Sequence, residues 1–407
     1  MTHKRLFLRF VCMLIFVGMQ ADDLRDIKRE AHQAIKQGNM QQAADLFGQA
    51  HAIDPDDMAV WYNMAYCLVR CNRHQQAVQW YQKVLERNPD DEMATFGLAK
   101  ALLALGDYER GLLLFEWRYG SCQAMHKRYK VFNLTPASFA GKEVVLISEW
   151  GIGDMIMSLR YVQQVKEAGA TRILVQASPA LVPLLSLCPY IDQVITPETW
   201  VPAHTIDVPL FCLPRIFGTT PETIPTPIPY LYADEVLRAQ WHAICAELKG
   251  YKIGICWSSN KINRSAPACV RRTIPLATFD LLSTLPDVTL VSLQKGDGEH
   301  ELATCGDRYV VFDYLDDEHG AFMDTVALMK ELDLIITADT SIAHIAGALG
   351  CQTWVLLPYA ADWRWFLERS DSPWYPTVRL FRQQTPGDWD GVMKEVYDAF
   401  MIEFAKA

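Results

Sequence analysis

Three clusters in this 407-residue chain place acids, bases and small residues where they could handle a phosphorylated ligand. The stretch from Leu334 to Gly350 reads as a buried strand, a polar turn with Asp339, Thr340 and Ser341, and a small-residue helix carrying His344 near its start. Such a helix start directs backbone N–H groups outward at the positive end of the helix dipole, which favours a phosphate. Asp339 and His344 stand where they could reach hydroxyls or oxygens beside it. His344 is read as a ligand contact, against the plainer reading of a satisfied core histidine.

The second cluster is Gly151-Ile152-Gly153-Asp154. Its glycines let a loop backbone approach a ligand, and its acid opens the helix that follows. The third glycine of a dinucleotide fingerprint is missing. Capping and catalysis are equally open for Asp154. The third cluster is Arg271-Arg272-Thr273-Ile274-Pro275, following Trp257-Ser258-Ser259-Asn260-Lys261. A guanidinium there could offset the charge on a departing diphosphate; the alternative is a solvated basic loop. Asp388-Trp389-Asp390 looks like the acidic pair of metal-dependent sugar transferases, but it precedes the terminal helix and is read as a helix cap.

Composition limits what surrounds these clusters. Half the residues are hydrophobic, enough for two or three domains with buried cores, and the formal net charge is -10. No clustered Lys and Arg run is present, which argues against a nucleic-acid partner and leaves a small anion allowed. Of the eleven cysteines, Cys67, Cys71, Cys188, Cys245, Cys256 and Cys269 make no Cys-x-x-Cys pair. Buried reduced thiols are expected rather than a metal site.

Lys4, Arg5 and Arg9 precede an apolar run from Phe10 to Met19, the pattern of a secretion signal. The run is short for a membrane span, and Met19, Gln20 and Ala21 make a poor cleavage site. An extended translation start or a hydrophobic first helix is favoured for residues 1–21. The expected location is the cytoplasm, peripheral to the inner membrane, with export left open.

The elements that must position the clusters fall into three parts. Ala43, Ala77 and Gly111 recur with one period, as do Phe47, Tyr81 and Phe115, and Pro55 and Pro89; Trp61 and Ala65 add to the pattern. The 34-residue spacing and residue types match tetratricopeptide repeats, assigned to residues 22–120. These repeats are expected to bind a protein partner. Alternating strand and helix patterns then imply two Rossmann-like doubly wound halves, at 142–232 and 250–385. Strands are expected at Glu143 to Ser148, Arg172 to Gln176, Gln193 to Ile195, Lys252 to Trp257, Thr289 to Leu293, Tyr309 to Phe312, Leu334 to Thr337 and Thr353 to Leu357. A helix within 386–407 is expected to brace the two halves.

Taken in order, Gly151-Ile152-Gly153-Asp154, Arg272-Thr273-Ile274-Pro275, Ser292-Leu293-Gln294-Lys295-Gly296, Asp339 to His344, Asp362-Trp363-Arg364-Trp365 and Ser372-Pro373-Trp374-Tyr375-Pro376 resemble glycosyltransferase family 9. The match is to relatives of the lipopolysaccharide heptosyltransferases that carry N-terminal tetratricopeptide repeats. The resemblance implies the two-domain GT-B type fold, metal independence and inversion at the sugar carbon. Asp154 matches the acid proposed as general base in the heptosyltransferases. Arg272 stands where those enzymes carry a phosphate-binding Lys, and Ser341 replaces a Gly often found in the turn.

The expected function is transfer of a sugar from a nucleotide-diphosphate donor to a glycan, lipid-linked or protein acceptor, with no cofactor. Asp154, Arg272 and His344 are the expected catalytic residues. Gly151, Gly153, Trp257, Ser258, Asn260, Lys295, Asp339, Thr340, Ser341 and Asp362 are expected to bind substrate. Two rivals stand beside this reading: an inactive repeat scaffold that binds nucleotide sugar, and another two-domain nucleotide-sugar enzyme such as an epimerase.

Overall fold

The computed structural model describes residues 22–119, 133–200, 204–259 and 272–404. The apolar N-terminal segment and Asn260 lie outside the described residues. Among the described residues, no helix is long and apolar enough to cross a membrane. Two compact units are present: one holds the N-terminal helices together with Asp362–Leu367, and the other holds the remainder.

The N-terminal unit is a stack of antiparallel helices: α1 (22–36), α2 (Met40–Ile53), α3 (Met58–Arg70), α4 (His74–Arg87), α5 (Glu92–Ala104) and α6 (Tyr108–Phe115). Three helix starts are capped by an aspartate: Asp57 accepts from the Ala59 and Val60 N–H groups, Asp91 from Ala94 and Asp107 from Arg110. Ala43, Ala77, Phe47, Tyr81 and Phe115 are buried as the periodicity requires. Small residues let neighbouring helices meet, and the aromatics fill the space between them. Trp61 donates from Nε1 to the Pro55 carbonyl at 2.9 Å, tying a helix to the turn before it.

The segment Asp362–Leu367 packs within this unit. Trp363 meets Phe115 edge to face at 5.6 Å, and Phe366 stacks on Tyr108 at 5.9 Å. Asp362 caps this turn through the Arg364 N–H and pairs with the Arg364 guanidinium at 2.9 Å.

The larger unit contains two parallel sheets. The first has strands β1 (Glu143–Ile147), β2 (Arg172–Gln176), β3 (Gln193–Ile195) and β4 (Ile206–Pro209), in the order β3-β2-β1-β4. The second has β5 (Tyr251–Cys256), β6 (Val288–Ser292), β7 (Leu334–Ala338), β8 (Thr353–Leu357) and β9 (Val378–Arg382), in the order β6-β5-β7-β8-β9. Every residue of β7 and β8 is buried, which accounts for sequences that are apolar apart from Thr337 and Thr353. Helix α7 (Ile152–Ser158) follows β1, α8 (Glu235–Ala246) joins the two halves, α9 (Met323–Met329) precedes β7, α10 (Ser341–Leu349) follows it, and α11 (Trp389–Glu403) ends the chain.

Several expectations change. The strand at Tyr309 to Phe312 reduces to a single bridge between Val310 and Val291, because Val311 is exposed and Phe312 turns to pack on Trp241. Val378–Arg382 supplies the fifth strand instead. The apolar stripe of the terminal helix, Trp389, Val392, Met393, Val396, Ala399 and Phe400, lies in the second sheet's core with Ile253, Leu334 and Trp354. Beyond α7, the chain tightens into a 3-10 turn, Leu159–Tyr161, before resuming as a helix. Arg160 Nε donates to the Met157 carbonyl at 2.8 Å, the acceptor a regular helix would offer to the Tyr161 N–H.

Two outcomes test the repeat packing. A Cβ on Gly97 would stand 2.4 Å from the buried Tyr81 ring, whereas one on Gly48 would meet only Met64 Cε at 3.7 Å. Alanine contributes about 1 kcal/mol of helix propensity at either site, but overpacking costs about 1–3 kcal/mol. Gly97→Ala should therefore lower the midpoint of urea unfolding of the repeats, and Gly48→Ala should leave or raise it.

The second test concerns pH. Burial pushes the His74 imidazole down to about 4. The unfolded chain then binds the extra proton first, so stability falls as pH drops from about 6.5 toward 4, by about 3 kcal/mol in all. His74→Gln should flatten that part of the stability profile, measured by denaturant titration across the window.

Candidate functional site

Each sheet has one place where the strand order reverses, and the clusters gather at the carboxyl ends there. In the first sheet the reversal lies between β1 and β4. Glu149, just after β1, accepts the Phe211 N–H at 3.0 Å through Oε2, and Trp150 packs against the Phe211 ring at 5.2 Å. Trp150 adopts φ 55°, a left-handed conformation uncommon outside glycine, and its indole is half exposed. This kink delivers Gly151 to Asp154 into the start of α7. Asp154 Oδ2 accepts the Gly151 N–H at 3.1 Å, so the acid caps its own helix.

In the second sheet the reversal lies between β5 and β7. Thr340 caps α10 by accepting the Ile342 N–H at 3.2 Å, and Gly350 ends the helix at φ 74°. Arg272 reaches the same turn: its Nη1 donates to the Asp339 carbonyl at 3.2 Å and lies 3.5 Å from the Asp339 carboxylate. Asp339 is 1 % exposed, so this buried acid holds Arg272 against the helix start. The Arg382 guanidinium also feels Asp339; burial pushes it down to about 10 while the carboxylate opposes that shift.

Gln294 fastens the loop after β5. Its Oε1 accepts the Trp257 and Ser258 N–H groups at 3.1 and 2.9 Å, while Nε2 donates to the carbonyls of Ser258, Lys295 and Asp297. The Trp257 ring is fully buried and donates to Glu301 at 3.1 Å, so what this residue brings to the strand end is its backbone. Ser258 is buried beside Thr273, with their hydroxyls 3.5 Å apart, and the Ile274 N–H donates to the Trp257 carbonyl at 2.9 Å. Lys295 is partly exposed and pairs with Asp317 at 3.2 Å.

The two reversals meet through glycine. A Cβ on Gly153 would lie 2.7 Å from His344 Cδ2 and 3.4 Å from Ser341 Cα. Helix α7 therefore seats directly on the start of α10, and Asp154, Ser341 and His344 come into one neighbourhood. His344 is 3 % exposed, and its Nδ1 lies 2.9 Å from the Tyr375 hydroxyl. Asp362, in contrast, is a member of the repeat unit.

Four contributors were not among the expected site residues: Arg160 and Arg382, which no motif contained, and Gln294 and Tyr375, which stood within quoted motifs without a role. Arg160 carried a signal, being a charge within the apolar pattern of a helix. It is fully buried, with Nη1 donating to the Pro225 carbonyl at 3.1 Å and to the Trp374 carbonyl, and Nη2 to the Tyr230 hydroxyl at 3.0 Å. The rings of Tyr230, Trp374 and Tyr375 surround it, with centroids 5.1, 5.1 and 4.6 Å from its Cζ. The Tyr375 ring lies on Gly347, where a Cβ would come within 2.4 Å of it.

Gly153→Ala should separate α7 from α10 and lower the thermal midpoint, as calorimetry measures.

Family models described as tetratricopeptide repeat match residues 34–95 and 81–116. The chain is similar to Protein FlbA of Caulobacter vibrioides, at 25% identity over 389 residues, covering 87% of this chain and 63% of that protein. It thus spans less than two-thirds of the curated relative it matches. Among solved structures, it is similar to the glycosyl transferase family 9 protein from Veillonella parvula, with TM-score 0.49, 13% identity, and 66% of this chain and 99% of that chain covered. It is also similar to ADP-heptose lps heptosyltransferase II of E. coli, with TM-score 0.44, 15% identity, and coverages of 64% and 99%. Tetratricopeptide-repeat models thus match part of the helical first third of the chain, which is followed by two parallel α/β halves.

Proposed function

We propose that this chain is an inverting, metal-independent glycosyltransferase that moves a sugar from a nucleotide-diphosphate donor to a glycan, lipid-linked or protein acceptor. The observation that carries this reading is the approach of Gly153 to Ser341 and His344, which sets an acid on one half beside an anion-favouring helix start on the other. Arg272 and the N-terminus of α10 would stabilise the leaving diphosphate, a charge that develops during transfer. Asp339 holds Arg272 and the turn in place.

Asp154 would take the proton of the acceptor hydroxyl. Its hydrogen bond from Gly151 aims the carboxylate and does not exhaust it, since a carboxylate has about four acceptor sites. Trp257 would serve through its backbone, and Ser258 and Lys295 would line the donor side. The repeats would hold a protein partner or the acceptor itself.

A nucleotide-sugar panel screened by thermal shift identifies the donor, because a ligand bound to the folded state raises its apparent stability. Transfer is then followed with wild type and Asp154→Asn in the presence of EDTA. The expected result is retained donor binding with turnover lowered about 10²–10⁴-fold in the variant. Unchanged turnover in Asp154→Asn sinks the base, loss of wild-type turnover in EDTA sinks metal independence, and tight binding without wild-type turnover favours the scaffold.

A further inference from the structure

Where the backbone ladder between β5 and β6 ends, a side chain takes over. The last register pair is Ile255 with Ser292, and the Leu293 N–H donates to the Ile255 carbonyl at 2.9 Å. Beyond it the Gln294 amide stands in the place of a neighbouring peptide. It holds Ser258 at both ends, accepting its N–H at 2.9 Å through Oε1 and donating to its carbonyl at 3.0 Å through Nε2. Oε1 also accepts the Trp257 N–H at 3.1 Å and the Cys256 thiol at 3.3 Å, while Nε2 donates to the Lys295 and Asp297 carbonyls at 3.1 and 2.9 Å.

Only one orientation of this amide works. Turned over, its oxygen would face three carbonyls and its N–H groups would face two N–H donors. Gln294 is buried, so water is a poor substitute for either set. Gly298 lets the loop after β6 lie on the same spot: a Cβ there would come within 2.9 Å of Ser258 Cβ and 3.0 Å of Trp257 Nε1. From Trp257 the order passes onward, since its carbonyl accepts the Ile274 N–H at 2.9 Å, two residues after Arg272. Arg272 is therefore held from two sides, by Asp339 at its guanidinium and by the end of β5 through the backbone that follows it.

We propose that Gln294 is a positioning residue of the candidate site: its amide carries the order of β5 out to Ser258 and fixes, through Trp257 and Ile274, the stretch that presents Arg272 to the start of α10. In the transfer reaction, on whose assignment this consequence rests, Arg272 then meets the departing diphosphate without rearrangement.

Hydrogen exchange of the full chain, read by mass spectrometry, tests the lock without any substrate. Gln294→Met keeps a similar volume and removes the amide. Exchange at Trp257 and Ser258 should quicken about tenfold, the loss of one net hydrogen bond each, and Ile274 should follow, with β7 and the repeat helices unchanged. Unchanged exchange at Trp257 and Ser258, or an equal quickening in every element, overturns the proposal.

Gln294→Glu is a second variant, whose defect depends on pH, and it carries the test by itself if the methionine variant does not fold. An ionised carboxylate still accepts from Trp257 and Ser258 but sets its other oxygen against three carbonyls; the protonated acid regains one donor. Burial and those carbonyls raise the folded-state carboxyl above its unfolded value, so the defect is present above the folded value and vanishes as pH falls through it. The other titratable groups on the two loops, Cys256, Lys295, Asp297, Glu299, His300 and Glu301, are common to variant and wild type, which are therefore compared at each pH. Exchange in the glutamate variant should approach that of wild type as pH is lowered from about 8 to about 5. A deficit that stays constant across this window overturns the role of the amide donor.

With a donor in hand, Gln294→Met should lower kcat on the order of 10²-fold with a smaller change in donor KM, because the charge that Arg272 meets develops only during transfer. A raised KM with kcat intact overturns the positioning of Arg272. Absent wild-type turnover overturns the transferase reading alone and leaves the exchange result to judge the lock.

Discussion

A positive charge buried with no carboxylate beside it among the described residues is the constraint around which the two α/β halves are arranged. Taking a guanidinium out of water is costly unless every donor finds an acceptor. Arg160 finds its acceptors on the Met157 carbonyl beside it, the Pro225 carbonyl and Tyr230 hydroxyl before the second sheet, and the Trp374 carbonyl near the end of the chain. Three aromatic faces complete the enclosure. Moving any one of these segments would leave a charged donor unpaired, which makes the arrangement of the halves close to all-or-none.

That constraint reaches the functional site through size as much as through charge. Tyr375 can lie under α10 because residue 347 has no side chain, and α7 can sit on α10 because residue 153 has none. Between them, Ala343, Ala346 and Ala348 keep the helix slim enough to be buried on every side. His344 is the one large polar group in this stretch, and its place is determined by the Tyr375 hydroxyl on one edge and the Gly153 loop on the other. On the opposite flank, Asp339 spends its buried charge on Arg272, so a basic side chain is held beside the helix start before any ligand arrives.

Much of this organisation was legible in the chain. The repeats announced themselves because each must bury the same small and aromatic residues against its neighbour, and identical packing demands identical spacing. Strands β5, β7 and β8 were equally plain, since a strand covered on both faces is mostly apolar along its buried length. Other elements were hidden for the same kind of reason. β9 is interrupted by Arg379 and Arg382, so it carried no continuous signal, and Tyr309 to Phe312 had strand-like residues that tertiary packing drew elsewhere. The terminal helix showed its apolar stripe but not its destination.

The sequence by itself determined which groups could do chemistry: Gly151-Ile152-Gly153-Asp154, Arg272 and Asp339 to His344 are local patterns whose strand, turn and helix types follow from neighbouring residues. Only the tertiary structure decided what those groups touch. That Arg272 is held by Asp339, that Trp257 offers its backbone and not its ring, that Arg160 donates to Tyr230 and that His344 lies against the Tyr375 hydroxyl all depend on contacts between segments far apart in the chain. Local propensity acts over a few residues, whereas the satisfaction of a buried charge or hydroxyl is settled by whichever distant atoms the completed fold brings within about 3 Å.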